Sequence, residues 1–213
     1  MSSLQLRSSL HSRLNAIEQA LLEAHWDAVT HSRSSLNRMP EFFMAMRVAD
    51  YFAMHFPSFG YRLEAQVKRT FKDGDLRDID IAQLCHDQEL RSDGRFDLVL
   101  LAGKRGKPAH VLEFKHGDKL EAVLLDIRRL AKVCELAGNS RLKTNYLVLT
   151  KKCDSNGEVD NTIDRLVQAL EPFDKVNHFI WCTDPLGDFL DRDHQVTGTF
   201  RVVIVELRAK QLA

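Results

Sequence analysis

The sequence predicts an α/β fold in which a mixed central β-sheet is flanked by helices. Three observations point there. Residues 95–115 (RFDLVLLAGKRGKPAHVLEFK) hold two apolar runs around a short basic turn, the pattern of a β-hairpin. Residues 118–136 (DKLEAVLLDIRRLAKVCEL) carry apolar side chains at helical spacing, and the apolar run TNYLVLT follows at 144–150. A helix between two buried strands is a crossover, and a crossover adds a parallel pair to a sheet otherwise built from hairpins.

Taken in order, residues 4–28 read as an amphipathic helix with a stripe of Leu10, Leu14, Ile17 and Leu21. The polar stretch HSRSSLNRM (31–39) reads as a linker, so residues 1–38 form an N-terminal helical extension and 39–213 the α/β domain. Pro40 opens a second helix over 40–56, where proline is tolerated in the first turn. YRLEAQVKRTF (61–71) partly alternates and predicts a strand. Residues 78–90 predict a short helix before the hairpin. Asp118 with Glu121 three residues on resembles a capping box for the 118–136 helix, and Gly138 suits its left-handed cap. Then come a helix over 159–171 and strands over 178–183 and 199–207. The first three strands form a meander.

The 213 residues are 44% hydrophobic and 28% charged, enough for a sizeable core. No apolar run reaches the length of a membrane span, and MSSLQLRSSLHSR has no apolar signal core, so a cytoplasmic location is expected. The four cysteines, Cys85, Cys134, Cys153 and Cys182, lack paired metal spacing and fit reduced thiols. His86 beside Cys85 reads as incidental. The zero net charge conceals an uneven distribution. Residues 101–152 hold 12 Lys and Arg against 5 Asp and Glu, whereas 153–197 hold 3 against 10. The basic section, which includes Lys104, Arg105 and Lys107 of the hairpin turn, suits a phosphate-bearing polymer; for charge alone the preferred account is a solvated surface whose charges pair in the fold.

Three charges interrupt the hairpin's apolar runs: Asp97, Glu113 and Lys115. Side chains two apart on a strand share a face, so Glu113 and Lys115 point the same way. Pairing of the runs brings Asp97 beside them, with Asp97, Val99 and Leu101 on one face and Phe96, Leu98 and Leu100 on the other. Carboxylates on apolar strands are costly unless they are paired or bind a metal. The plainest account is a salt bridge from Lys115 to either acid at the sheet's end.

The order of elements over residues 41–150, with Asp97 on the second strand and Glu113-x-Lys115 on the third, resembles the PD-(D/E)XK nuclease superfamily, whose core is restriction-endonuclease-like. Phe96 stands where the pattern has proline. The resemblance implies a phosphodiester hydrolase acting on nucleic acid, with DNA the expected polymer. Asp97 and Glu113 would hold Mg²⁺ or Mn²⁺ together with the backbone carbonyl of Phe114. Lys115 would orient or deprotonate the attacking water, or stabilise charge on the phosphate.

Glu41 opens the helix before the first strand, where many members carry an additional acid; complementing the helix dipole explains it as well. Glu64 on the first strand competes for that role; Asp126 could support the site from the next helix, but a solvated position near the arginines is the expectation. Arg128, Arg129 and Lys132 are candidate phosphate contacts, or simply a solvated helix face. His110 and His116 are expected to be polar neighbours. The N-terminal apolar stripe suggests a homodimer, since two sites suit the cutting of two strands. A non-catalytic nucleic-acid-binding or protein-interaction module on the same fold is the alternative.

Overall fold

The structure, a computed structural model, describes residues 10–77, 81–82, 93–102, 106–117, 119–137, 140–153 and 161–210. The expected turn charges Lys104 and Arg105, the helix over 78–90 apart from Ile81 and Ala82, with Cys85 and His86, and the cap residues Asp118 and Gly138 lie outside the described residues.

The described elements are α1 (Leu10–Ser32), a 3₁₀ turn (Leu36–Arg38), α2 (Glu41–His55), β1 (Phe59–Gln66), α3 (Val67–Asp73), β2 (Arg95–Ala102), β3 (Lys107–His116), α4 (Leu120–Ala137), β4 (Thr144–Cys153), α5 (Thr162–Leu170), β5 (Val176–Cys182), β6 (Gly187–Leu190) and β7 (Val196–Ala209). Seven strands form one mixed sheet in the order β1-β2-β3-β4-β7-β5, with β6 added along β7. The predicted meander is present: β1–β2 and β2–β3 are antiparallel. The α4 crossover makes β3–β4 the parallel pair, with Leu112 beside Tyr146 and Lys115 beside Leu149.

Both faces of the sheet are covered, which is why its central strands read as unbroken apolar runs. Leu98, Leu100, Leu112, Phe114, Tyr146 and Val148 face α1 and α2. Val99, Val111, Leu147, Leu149, Val203 and Val205 face α3, α4 and α5. Leu14, Ile17 and Leu21 are fully buried in the first of these layers. The stripe that suggested a dimer surface is thus spent on this chain's own sheet. Arg13 Nε donates to the buried Tyr146 hydroxyl at 2.6 Å and Trp181 Nε1 donates to Glu18 at 2.8 Å, so polar contacts reinforce the seat of α1.

Four local expectations are corrected. The strand expected over 61–71 ends at Gln66, and Val67–Asp73 is helical. Val67, Thr70 and Phe71 are its buried residues, the i, i+3, i+4 spacing of a helix face. The expected linker is structured instead: Ser34, Ser35 and Leu36 are buried, and α1 runs to Ser32. The segment between the strands expected over 178–183 and 199–207, for which no element was expected, contains β6, a short edge strand with little apolar signal. Finally, Phe96 packs with Val99 and Phe71 rather than with Leu98 and Leu100.

This last departure has a backbone cause. Glu64 adopts φ 49°, left-handed for a non-glycine residue, a conformation that costs roughly 1–2 kcal/mol. The β1–β2 ladder pairs Leu63 with Leu98 and Ala65 with Phe96, and skips Glu64. Across that step Leu63 lies in one layer and Ala65 in the other. Phe96 crosses the sheet with its partner Ala65. The switch falls at Asp97, where such strain often accompanies function.

Candidate active site

Asp97, Glu113 and Lys115 meet at one end of β2 and β3. The register Leu98↔Leu112 carries Asp97 next to Glu113. The Asp97 backbone N–H donates to Glu113 Oε2 at 3.5 Å, and the Phe114 N–H donates to Asp97 Oδ2 at 2.8 Å. Strand alternation sets Glu113 and Lys115 on one face, as expected, and that face meets α4. On α4, Val123, Ile127 and Leu130 form the buried stripe, and Asp126 and Arg129 lie on that same face. Asp126 Oδ2 is 3.4 Å from Lys115 Nζ, and Arg129 pairs with Glu113 Oε1 at 3.0 Å.

Arg129 is thus no phosphate contact. It is 3% exposed, with its guanidinium donating also to the Arg95 carbonyl at 3.2 Å and lying 4.4 Å from the centre of the Phe96 ring. Asp126 is 5% exposed rather than solvated. Arg128 and Lys132 are half-buried on α4 and make no part of this cluster. A signal for Asp126 and Arg129 was present in the sequence: both fall at i+3 steps within the apolar stripe of α4, where a charged residue must find a buried partner.

Glu41 joins from α2. Its Oε2 accepts from Lys115 Nζ at 2.9 Å and its Oε1 accepts from the His116 N–H at 3.3 Å. Lys115 also donates to the Phe114 carbonyl at 3.0 Å. The His116 ring braces this corner. Nε2 lies 2.8 Å from the Met39 carbonyl, which only accepts, so Nε2 carries the proton and Nδ1 accepts from the Thr150 hydroxyl at 2.8 Å. Glu64 is exposed and His110 hydrogen-bonds to the Thr144 carbonyl, so neither belongs to the cluster.

Four acids, Glu41, Asp97, Glu113 and Asp126, stand against two cations, Lys115 and Arg129, which leaves two negative charges if all are ionised. The protonation of the pair reflects this. Burial raises the Asp97 carboxyl above its ordinary range against the pull of the Phe114 N–H and Lys115. Burial and the Asp97 charge push Glu113 well above its own, with Arg129 opposing. Burial alone would lower Lys115, but Asp97, Glu41 and Asp126 outweigh it and hold the ammonium protonated beyond its usual range.

Among the described residues no three His, Cys, Asp or Glu side chains converge closely enough to hold a metal between them. A Mg²⁺ site needs fewer: one or two carboxylates, with waters completing the octahedron. Asp97, Glu113 and the Phe114 carbonyl are oxygen donors of that kind. Beside the cluster lies a cleft of about 680 Å³ that shares Glu41 and His116 with it. The chain matches no known protein family, no curated protein and no solved structure. No described helix is long and apolar enough to cross a membrane.

Proposed function

We propose that the cluster is the metal centre of a nuclease of the PD-(D/E)XK type that hydrolyses phosphodiester bonds, with DNA as its polymer. One observation carries the proposal: the buried carboxyl of Glu113 and the half-buried one of Asp97 are held side by side with both raised in pKa, an arrangement that a divalent cation relieves. Asp97, Glu113 and the Phe114 carbonyl would hold Mg²⁺ or Mn²⁺. When bound, the cation supplies charge neutralisation at the phosphate and makes its coordinated water more acidic.

The other residues divide the remaining work. Lys115, kept protonated by three acids, is suited to orienting the water and stabilising negative charge on the phosphate rather than to removing a proton. Glu41 and Asp126 fix the ammonium from two sides, and Glu41 itself is fixed by the His116 N–H. Arg129 is a positioning residue that holds Glu113 from α4.

The test is cleavage of plasmid and single-stranded DNA in Mg²⁺ or Mn²⁺ and in EDTA. Metal-dependent cleavage that drops at least 100-fold in Asp97→Ala and Glu113→Ala is expected. Cleavage by Asp97→Ala equal to that of the unaltered protein would remove the assigned site. The buried Arg129–Glu113 pair favours a second reading, since it already satisfies one carboxylate without metal. On that reading the chain is a nucleic-acid-binding module, and salt-dependent binding with no cleavage under any metal is its signature.

A further inference from the structure

The cleft beside the cluster is built rather than incidental. One wall is the 3₁₀ turn and the start of α2, and the opposite wall is β6 with its following turn. Asn37 ties the two together as a strand partner would. Its Nδ2 donates to the Leu190 carbonyl at 2.8 Å, and its Oδ1 accepts from the Leu190 N–H at 3.1 Å. The Ser35 hydroxyl donates to the Asp188 carbonyl of the same strand. The turn after β6 is held by Asp191 Oδ1, which accepts from the N–H groups of Asp193 and Gln195 at 2.9 Å each. A preorganised cleft keeps more of its binding energy for the ligand.

Its lining has one chemistry. Arg38, Lys151, Lys152 and Arg192 stand against Glu41 and Asp191, an excess of two positive charges next to a cluster that is negative. Arg38 and Arg192 are exposed at the rim. Phe189, half-buried against the core, offers an aromatic ring with Lys152 Nζ 5.6 Å over its centre; a base that stacks there takes the ammonium's place and leaves it beside the base for a phosphate. Cations with an aromatic face are what single-stranded nucleic acid needs: charge for phosphates and a stacking surface for a base. The volume lies within the roughly 300–1,000 Å³ of clefts that enclose a small organic ligand, far too narrow for a duplex.

We propose that this cleft is a nucleotide subsite that seats an unpaired nucleotide of the strand, its base on Phe189 and its phosphates on Arg38, Arg192 and Lys152, so that the substrate is single-stranded or frayed nucleic acid. The inference rests on the nuclease reading of the adjoining cluster, because the shared Glu41 and His116 make the cleft the strand's path to Lys115. It narrows the substrate from DNA at large to strands with unpaired ends or gaps.

The experiment measures equilibrium binding of fluorescein-labelled oligothymidylate, and of its duplex with oligoadenylate, to the full chain carrying Asp97→Asn in Mg²⁺, across a salt series. The single strand is expected to bind about tenfold more tightly than the duplex. Phe189→Leu, which keeps an apolar side chain but loses the ring, is expected to weaken single-strand binding about tenfold and to leave duplex binding unchanged. Arg38→Gln with Arg192→Gln is expected to reduce the slope of log affinity against log salt by about 1.4, since each single-strand phosphate contact contributes about 0.7. Thermal melts of each variant check that the fold is intact. Equal affinity for both forms, preference for duplex, absence of binding, or an unchanged slope in the double variant overturns the inference. Cleavage by the unaltered protein, run in parallel, separates the two claims. Metal-dependent cutting with Phe189-independent binding sinks the subsite alone, whereas Phe189-dependent binding without cutting sinks the nuclease alone.

Discussion

Replacing Arg129 by methionine probes the cluster without depending on catalysis. The substitution keeps an unbranched chain of similar reach and removes three interactions at once: the 3.0 Å ion pair with Glu113, the 3.2 Å hydrogen bond to the Arg95 carbonyl, and the contact with the Phe96 ring. Glu113 and Arg129 side chains are 3% and 4% exposed, so solvent does not replace what is lost. Removing one partner of a buried pair strands the other charge, at a cost of about 3–5 kcal/mol. A chain of this length shifts its melting midpoint by roughly 2–4 °C per kcal/mol, so a fall on the order of 10 °C is expected. Urea denaturation gives the free energy directly, with the m-value expected to hold. Adding Glu113→Leu to Arg129→Met should recover most of the loss, because the stranded carboxylate is gone. The variant with Arg129→Met alone has three unbalanced negative charges rather than two, so Mg²⁺ should raise its stability by more than that of the unaltered protein. A cost below about 1 kcal/mol would refute the reasoning, since it would mean the pair is hydrated or rearranges freely. So would a double variant no more stable than the single one.

Asp97 and Glu113 have raised pKa values in the folded chain, so the stability they contribute is fully present below their ordinary values of 3.8 and 4.5. It is lost as the pH rises through the raised ones. The free-energy difference between Asp97→Asn and the unaltered protein, measured by urea at a series of pH values upward from about 4, should therefore shift in favour of Asp97→Asn as pH rises, and Mg²⁺ should diminish the shift. A difference that is flat with pH would show that Asp97 titrates normally. For the helical extension, Ile17→Ala should cost about 2–5 kcal/mol, as truncation of a fully buried side chain does, and a chain beginning at Pro40 should lose cooperative unfolding because the sheet's α1 layer goes with it. Cooperative unfolding of that shorter chain at full stability would show α1 to be dispensable.

The hairpin was legible in sequence because its apolar runs, turn and charges lie within a short span, where strand alternation alone decides which side chains meet. Asp97, Glu113 and Lys115 come together for that reason. Glu41 was legible only as a residue at a helix start; its contact with Lys115 joins positions 74 residues apart and depends on how α2 crosses the end of the sheet. Arg129 could be assigned to the surface from composition, since four basic residues crowd the segment from Arg128 to Arg141. Its helical phase says otherwise. The face switch at Glu64 and Asp97 was not legible at all, because a left-handed residue in a strand leaves no mark on the apolar pattern around it.

The sequence by itself determined the α/β class, the meander, the crossover helix and the convergence of two carboxylates with an amine, all consequences of short-range periodicity and chain order. The tertiary structure alone decided what those groups meet. Packing of α4 turned Asp126 and Arg129 inward, α2 delivered Glu41, and α1 packed its apolar stripe into the layer on one face of the sheet. The physical reason is desolvation: a buried charge is tolerable only beside a partner, and partners distant in sequence are chosen by which faces the core brings together.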